Sequence, residues 1–106
     1  MLNEKDKPVL DLIRNTVRSQ EPDAEIILYG SRARGDARPD SDWDVIVLLD
    51  DVKTDHNKRA MIAYDVWFKG KENNVDIDAF AYTKKQWESA PATLFKYNVA
   101  NEGLKL

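Results

Sequence analysis

Apolar positions divide the chain into stretches of helical and strand character. Between residues 3 and 19, Val9, Leu12, Ile13 and Val17 recur every three or four positions, which gathers them on one face of an amphipathic helix. Asn3 is placed to cap that helix, and Pro8 is compatible with it only inside the first turn. Glu21-Pro22-Asp23 ends the pattern. Residues 25–29, Glu-Ile-Ile-Leu-Tyr, are rich in β-branched and aromatic types and predict a short buried strand closed by Gly30. Residues 31–35 predict a short helix or turn, and 36–41 a polar loop. A second strand is predicted over 42–49, with a fully apolar inner part.

Residues 50–57 are polar and predict a loop. Residues 58–69 predict a helix with Met61, Ile62, Trp67 and Phe68 as core contacts, although the apolar spacing is less regular than in the first helix. Gly70 to Asn74 turn the chain, and residues 75–82 predict a third strand. Thr83 followed by Gln86 matches a capping box, so a helix is expected from Lys84. Ser89-Ala90-Pro91 interrupts it. A last helix over 92–101 would draw apolar contacts from Leu94, Tyr97 and Val99 and stop near Gly103. This order predicts an α/β (α+β) architecture: a small sheet of three or more strands flanked by helices.

The length of 106 residues suits a single domain spanning 1–106, and 42% hydrophobic residues permit a packed but thin core. With no cysteine, disulfides and thiolate metal sites are excluded. The start, MLNEKDKPVL, has no apolar stretch behind its charges, and no apolar run approaches a membrane span. The expectation is a cytoplasmic protein without membrane contact. Nineteen acidic against sixteen basic residues give a net charge of -3. That balance lacks the basic excess with which proteins hold long nucleic acid, so no such partner is expected. The local distribution says more than the total. Arg32, Arg34 and Arg38 crowd one stretch and are followed at once by Asp40, Asp42 and Asp44.

Three features carry candidate chemistry. Tyr29-Gly30-Ser31 ends a predicted strand, where glycine lets backbone approach a phosphate, the amides opening the next turn favour an anion, and Ser31 adds a hydroxyl. Alone, a Gly-Ser turn after a strand is usually just a turn. Asp42-Trp43-Asp44 opens the second strand, and alternation projects both carboxylates from one side. Like charges that close repel unless a cation lies between them, and hard divalent ions prefer carboxylate oxygen. A lone Asp-x-Asp is more often a solvated strand start. Asp76-Ile77-Asp78 sits within an apolar stretch, where buried acids are costly unless paired or coordinated. Periodicity does not separate Asp76 from Asp78. Together these parts suit phosphoryl chemistry, in which two ions about 3.5–4 Å apart activate an attacking oxygen and stabilise the leaving group.

From Gly30 the chain reads Gly-Ser, ten residues, then Asp-Trp-Asp and an apolar strand, within GSRARGDARPDSDWDVIV. This resembles the signature of the minimal nucleotidyltransferases of the DNA polymerase beta-like superfamily. The stretch IDAFAYTKKQWE and the ending NVANEGLKL are also similar, so the resemblance covers most of residues 25–106. It implies the polymerase beta-like nucleotidyltransferase fold, with Gly30 and Ser31 contacting the β- and γ-phosphates. It implies that Asp42 and Asp44 bind two Mg2+ ions, or Mn2+ in their place. The third carboxylate, a metal ligand or base, aligns best with Asp78 by its distance to Tyr82-Thr83, with Asp76 as the fallback. Arg34 would touch phosphate or brace the loop.

The resemblance further implies transfer of a nucleoside monophosphate, AMP from ATP, onto a hydroxyl acceptor. Family members commonly pair with a helical HEPN-domain protein as the antitoxin of a toxin–antitoxin couple. The alternative is a non-catalytic antitoxin that neutralises its partner by contact. An autonomous antibiotic-modifying enzyme fits less well, because such enzymes usually add an acceptor domain. The apolar surplus between Trp87 and Leu106 would serve a helical partner or a homodimer, unless all of it is core. Arg34-Gly35-Asp36 spells an adhesion tripeptide of no use in a cytoplasmic chain, and His56 reads as a solvated surface residue. Trp43 must face away from its flanking aspartates, into the core. Trp67 and Trp87 read as core or interface residues rather than base-stacking platforms.

Overall fold

The computed structural model describes residues 2–50 and 55–106. Asn3 and Asp6 form a reciprocal capping box around a short 3-10 turn, Glu4–Asp6, which passes directly into helix α1, Lys7–Arg18. Pro8 lies in the first turn, where a missing amide costs nothing. Strand β1 (Glu25–Tyr29) leads into the single-turn helix α2 (Ser31–Arg34), and strand β2 (Trp43–Leu49) follows the loop. Helix α3, His56–Glu72, is capped by Asp55, whose Oδ1 accepts the Lys58 amide at 2.8 Å. Then come strand β3 (Ile77–Thr83), helices α4 (Lys84–Ser89) and α5 (Leu94–Glu102), and strand β4 (Leu104–Lys105). The Thr83–Gln86 capping box forms as the sequence predicts, with Gln86 N donating to Thr83 Oγ1 at 3.0 Å.

The sheet is mixed, in the order β3-β2-β1-β4. β1 runs antiparallel to β2 and β4, and β2 runs parallel to β3 through the α3 crossover. The main core lies on one face, where Ile26, Leu28, Val45, Val47 and Leu49 meet Leu10, Ile13 and Val17 of α1 and Ile62 and Val66 of α3. On the opposite face Ile46 and Leu48 are covered by Val99 of α5, with Ile27, Tyr29, Tyr82 and Trp87 packed around them. Trp43 belongs to the main core, as its position between two aspartates requires.

Several boundaries and contacts differ from the sequence expectation. β4 is unforeseen, because two residues carry no periodicity; its register comes from pairing Lys105 and Leu104 with Ile27 and Leu28. Gly103 does end α5, but its backbone is not left-handed. A Cβ there would strike the Val99 carbonyl and lie 2.6 Å from Ile27 Cγ2, so close approach of backbone to β1 is what glycine permits. The predicted loop over 50–57 falls partly on 51–54, outside the described residues, and α3 already begins at His56. The helix also continues past Gly70 to Glu72. Of the four core contacts expected on α3, only Ile62 is buried. Met61, Trp67 and Phe68 are exposed, together with Tyr64. Apolar residues on both faces of one helix blur its periodicity, which explains the irregular spacing in the sequence. On α5, Val99 is buried, whereas Leu94 and Tyr97 are 75% and 66% exposed.

The division of α3 is testable. Ile62→Ala should cost about 2–5 kcal/mol of stability, the range for truncating a large aliphatic core residue. Met61→Ala should stay within about 0.5 kcal/mol of the parent, as exposed positions do. Urea unfolding of the two variants checks this, and equal losses would contradict the assignment.

Candidate functional site

The site is assembled where β1 ends and β2 and β3 begin. Tyr29, Asp44 and Asp78 are register partners across three adjacent strands, so their side chains form one row on the sheet face opposite the main core. Parallel pairing of Asp44 with Asp78 sets two carboxylates side by side. Asp42 lies just before β2 and is exposed; Asp44 is half-buried and Asp78 exposed. Burial raises the Asp44 carboxyl above the usual carboxylate range, and the nearby charges of Asp78 and then Asp42 raise it further, with Arg34 partly opposing. Burial also pushes the Tyr29 phenol up, and the Asp44 and Asp78 charges add to this, so it stays protonated.

Gly30 makes the turn possible. It takes φ +75°, and a Cβ at this position would fall on the Asp44 carboxylate, with Asp44 Cγ 3.3 Å away. Its carbonyl accepts the Ala33 and Arg34 amides at 3.1 and 3.0 Å, which winds α2 immediately after β1. The first amides of any helix have no partner within it, so Ser31 and Arg32 open the turn with donors facing outward. Arg32 fixes the following loop: its Nη2 donates to Ser41 O at 2.8 Å and Pro39 O at 3.2 Å, and its guanidinium lies 4.6 Å from the Trp43 ring centroid. Ser41 Oγ accepts the Arg38 amide at 2.8 Å. These contacts deliver Asp42 to the start of β2. The sequence marks Arg32 only as one of three crowded arginines, because a residue that braces backbone carbonyls has no motif of its own.

Two positions left open by the sequence differ in their surroundings. Arg34 is engaged by Asp36 and Glu102, each at 3.2 Å, so it ties the α2 loop to α5. Asp76 lies before β3, is exposed, and is ion-paired with Lys71; Asp78 is the one aligned with Asp44. The expectation that both acids are buried within an apolar strand is therefore corrected. β3 starts at Ile77, and Asp78 sits on its open face. A cleft of about 320 Å3 adjoins this row, lined by Asp42, Trp67, Asp76, Ile77 and Asp78.

The donor set is hard oxygen, the kind magnesium prefers, and its crowded negative charge is what a divalent ion would relieve. Among the described residues, no three acidic or histidine side chains already converge as a cage. Magnesium does not require one, since it keeps water and substrate phosphate in its shell and takes few protein ligands. His56 is exposed in the α3 start, as expected, with its ring 3.4 Å from Arg59 Nη2.

The nucleotidyltransferase-domain family model matches residues 10–105. The chain belongs to the nucleotidyltransferase domain family. The match bears out the resemblance to minimal nucleotidyltransferases and makes the protein a transferase enzyme of that type. Solved structures agree in fold. A toxin–antitoxin complex with AMP-PNP is 24% identical, with a TM-score of 0.56 over 98% of this chain and 72% of that one. A mutant toxin–antitoxin MntA-HpeT is 25% identical, with a TM-score of 0.58 over 100% and 72%. The toxin–antitoxin MntA-HepT is 21% identical, with a TM-score of 0.58 over 93% and 69%. No curated protein matches the chain. Among the described residues, no helix of this nucleotidyltransferase is long and apolar enough to cross a membrane.

Gly30→Ala tests the turn. The positive φ costs about 1–3 kcal/mol for a residue with a side chain, and the new methyl must displace Asp44. Denaturant unfolding should show that loss. A variant as stable as its parent would contradict the described approach of Gly30 to Asp44.

Proposed function

We propose that residues 1–106 form one catalytic domain, a magnesium-dependent cytoplasmic nucleotidyltransferase that moves AMP from ATP onto a hydroxyl of a partner protein. The observation that carries this reading is the in-register pair Asp44–Asp78 beside the Gly30-Ser31 turn. In this reading the outward amides after Gly30 and the Ser31 hydroxyl hold the β- and γ-phosphates. Asp42, Asp44 and Asp78 hold two ions, Mg2+ or Mn2+. The bound ions supply Lewis-acid charge stabilisation to the triphosphate. Asp78, the most open of the aligned acids, orients the acceptor hydroxyl and takes its proton. Arg34 braces the phosphate loop against α5 rather than reaching substrate.

Surface and charge support this partner class. Net charge of -3 offers no general field for a polyanion, which argues against long nucleic acid. α5 and its surroundings leave Leu94, Phe95, Tyr97 and Leu104 exposed, so the sequence's apolar surplus is not all core. Such a patch suits a helical partner of the HEPN type, or a second copy of this chain. The similar proteins MntA-HepT are toxin–antitoxin complexes, and one similar complex was solved with AMP-PNP. The same patch supports the second reading, an antitoxin that neutralises its toxin by contact alone.

Incubating the protein with the product of its neighbouring gene, magnesium and labelled ATP, then measuring intact mass, separates these readings. The expected result is one or more AMP groups on the neighbour. Asp44→Asn should abolish transfer with unchanged circular dichroism. Asp78→Ala should cost at least about 100-fold, the scale of one preorganised electrostatic group, and more than Asp76→Ala. Near-parental turnover by Asp44→Asn would rule out the metal assignment, and the reverse ranking would move the third carboxylate to Asp76. An unmodified neighbour together with efficient labelling of RNA or a small molecule would refute the acceptor class.

A further inference from the structure

We propose that the protein carries a second binding pocket, between the end of β3, α4 and α5, that takes a small aromatic acid: a flat ring bearing a carboxylate or a comparable anionic group. The pocket goes beyond the nucleotidyltransferase reading, since none of Gly30, Ser31, Asp42, Asp44 and Asp78 lines it. Its volume of about 410 Å3 falls within the range of small-molecule sites. Tyr82, in its lining, shares the open face of β3 with Asp78. At roughly 3.3 Å per residue it stands about 13 Å along the strand from the aligned carboxylates.

The walls are rings. Tyr82 and Trp87 meet at 5.5 Å, tilted 40°, and Phe95 stands edge-on to Trp87 at 6.0 Å. Tyr29 of β1 holds Phe95 edge-on in turn, at 5.5 Å, so the wall is backed by the sheet. The capping box of Thr83 and Gln86 fixes the start of α4 and with it the approach of Trp87. Tyr82 and Trp87 are half-buried, and Phe95 is exposed. Aromatic walls of this kind accept a flat apolar body by stacked or edge-to-face contact.

Two cations decide the charge of that body. Arg59 of α3 and Lys96 of α5 line the pocket, and among the described residues no acidic side chain does. Their hydrogen bonds there go to neutral groups. Arg59 Nη1 donates to Gln86 Oε1 at 2.5 Å. Lys96 Nζ donates to Glu88 O at 3.1 Å and Ala90 O at 3.0 Å, and lies 5.9 Å from the Trp87 ring centroid. Capping the end of α4 would by itself explain where Lys96 lies. It does not explain the missing countercharge: an ammonium has three donors, these carbonyls take two, and neither carries a negative charge. A chain of net charge -3 thus gathers two cations and no acid around one aromatic pocket. An anionic group on the ligand would gain charge-assisted hydrogen bonds from these side chains while its ring lies against Trp87 and Phe95. A cationic ligand of the same shape would meet repulsion.

Amide NMR titration with naphthaleneacetate, the neutral naphthaleneacetamide and the cationic naphthylethylamine tests this. The acid should shift the resonances of Trp87, Phe95 and Lys96. It should bind at least about fivefold more tightly than the amide, and the amine should bind least. Lys96→Gln keeps a donor for the Glu88 and Ala90 carbonyls but removes the charge. It should weaken the acid at least about threefold and leave the amide unchanged. Arg59→Gln should repeat the contrast from the other cation. Saturating Mg·ATP should leave the acid in place. Equal affinity for acid and amide, binding of no probe, or shifts centred elsewhere would each overturn the proposal. Displacement of the acid by Mg·ATP would give the pocket to the nucleoside and overturn it. Tighter binding of a peptide with tryptophan between glutamates would give it to a protein segment. Shifts of Trp87 and Phe95 that follow protein concentration without any probe would give it to a second copy of the chain. Either result would also overturn the proposal.

Discussion

Two carboxylates set side by side on parallel strands repel, and much of this small chain serves to keep Asp44 and Asp78 in that position. The β2–β3 register fixes their spacing, and α3 supplies the crossover that makes the parallel pairing possible. Their row lies on the face opposite α1 and α3, beside the part of that face covered by Val99 of α5. Gly30 gives up a side chain so that the Asp44 carboxylate can lie against the turn. Arg32 pins the loop that leads into β2 through Ser41 and Pro39. The cost of the arrangement is visible in the raised Asp44 carboxyl, whose causes are burial and its own acidic neighbours. A stability-driven design would separate these charges; a site meant to bind a cation and a polyphosphate concentrates them.

The placement of the candidate site residues was partly legible in the sequence because it depends on short spacing. Gly30-Ser31 and Asp42-Trp43-Asp44 each lie within three residues, and alternation alone sends Trp43 to the core. Most helices and strands were legible for the same reason, from caps such as Thr83–Gln86 and from apolar runs. What failed was whatever depends on distant partners. That Asp78 rather than Asp76 aligns with Asp44 needed the register with β2. The ion pair of Arg34 with Glu102 joins residues distant in sequence. β4 exists only because β1 offers it an edge. The outer face of α3 is not legible in the sequence, because Met61, Trp67 and Phe68 have the character of core residues while Ile62 and Val66 fill the core without them.

That outer face and the exposed residues of α5 give the enzyme more apolar surface than its own fold uses. Surface left open on two helices is consistent with an acceptor that arrives as part of another protein, bringing its own structure to the cleft.

The central claim is that the aligned carboxylates hold a divalent cation together with a nucleoside triphosphate. Calorimetric titration of the protein with ATP, once in magnesium and once in EDTA, tests it most directly. The account predicts binding in magnesium that is lost in EDTA. Equal affinity under both conditions would contradict it.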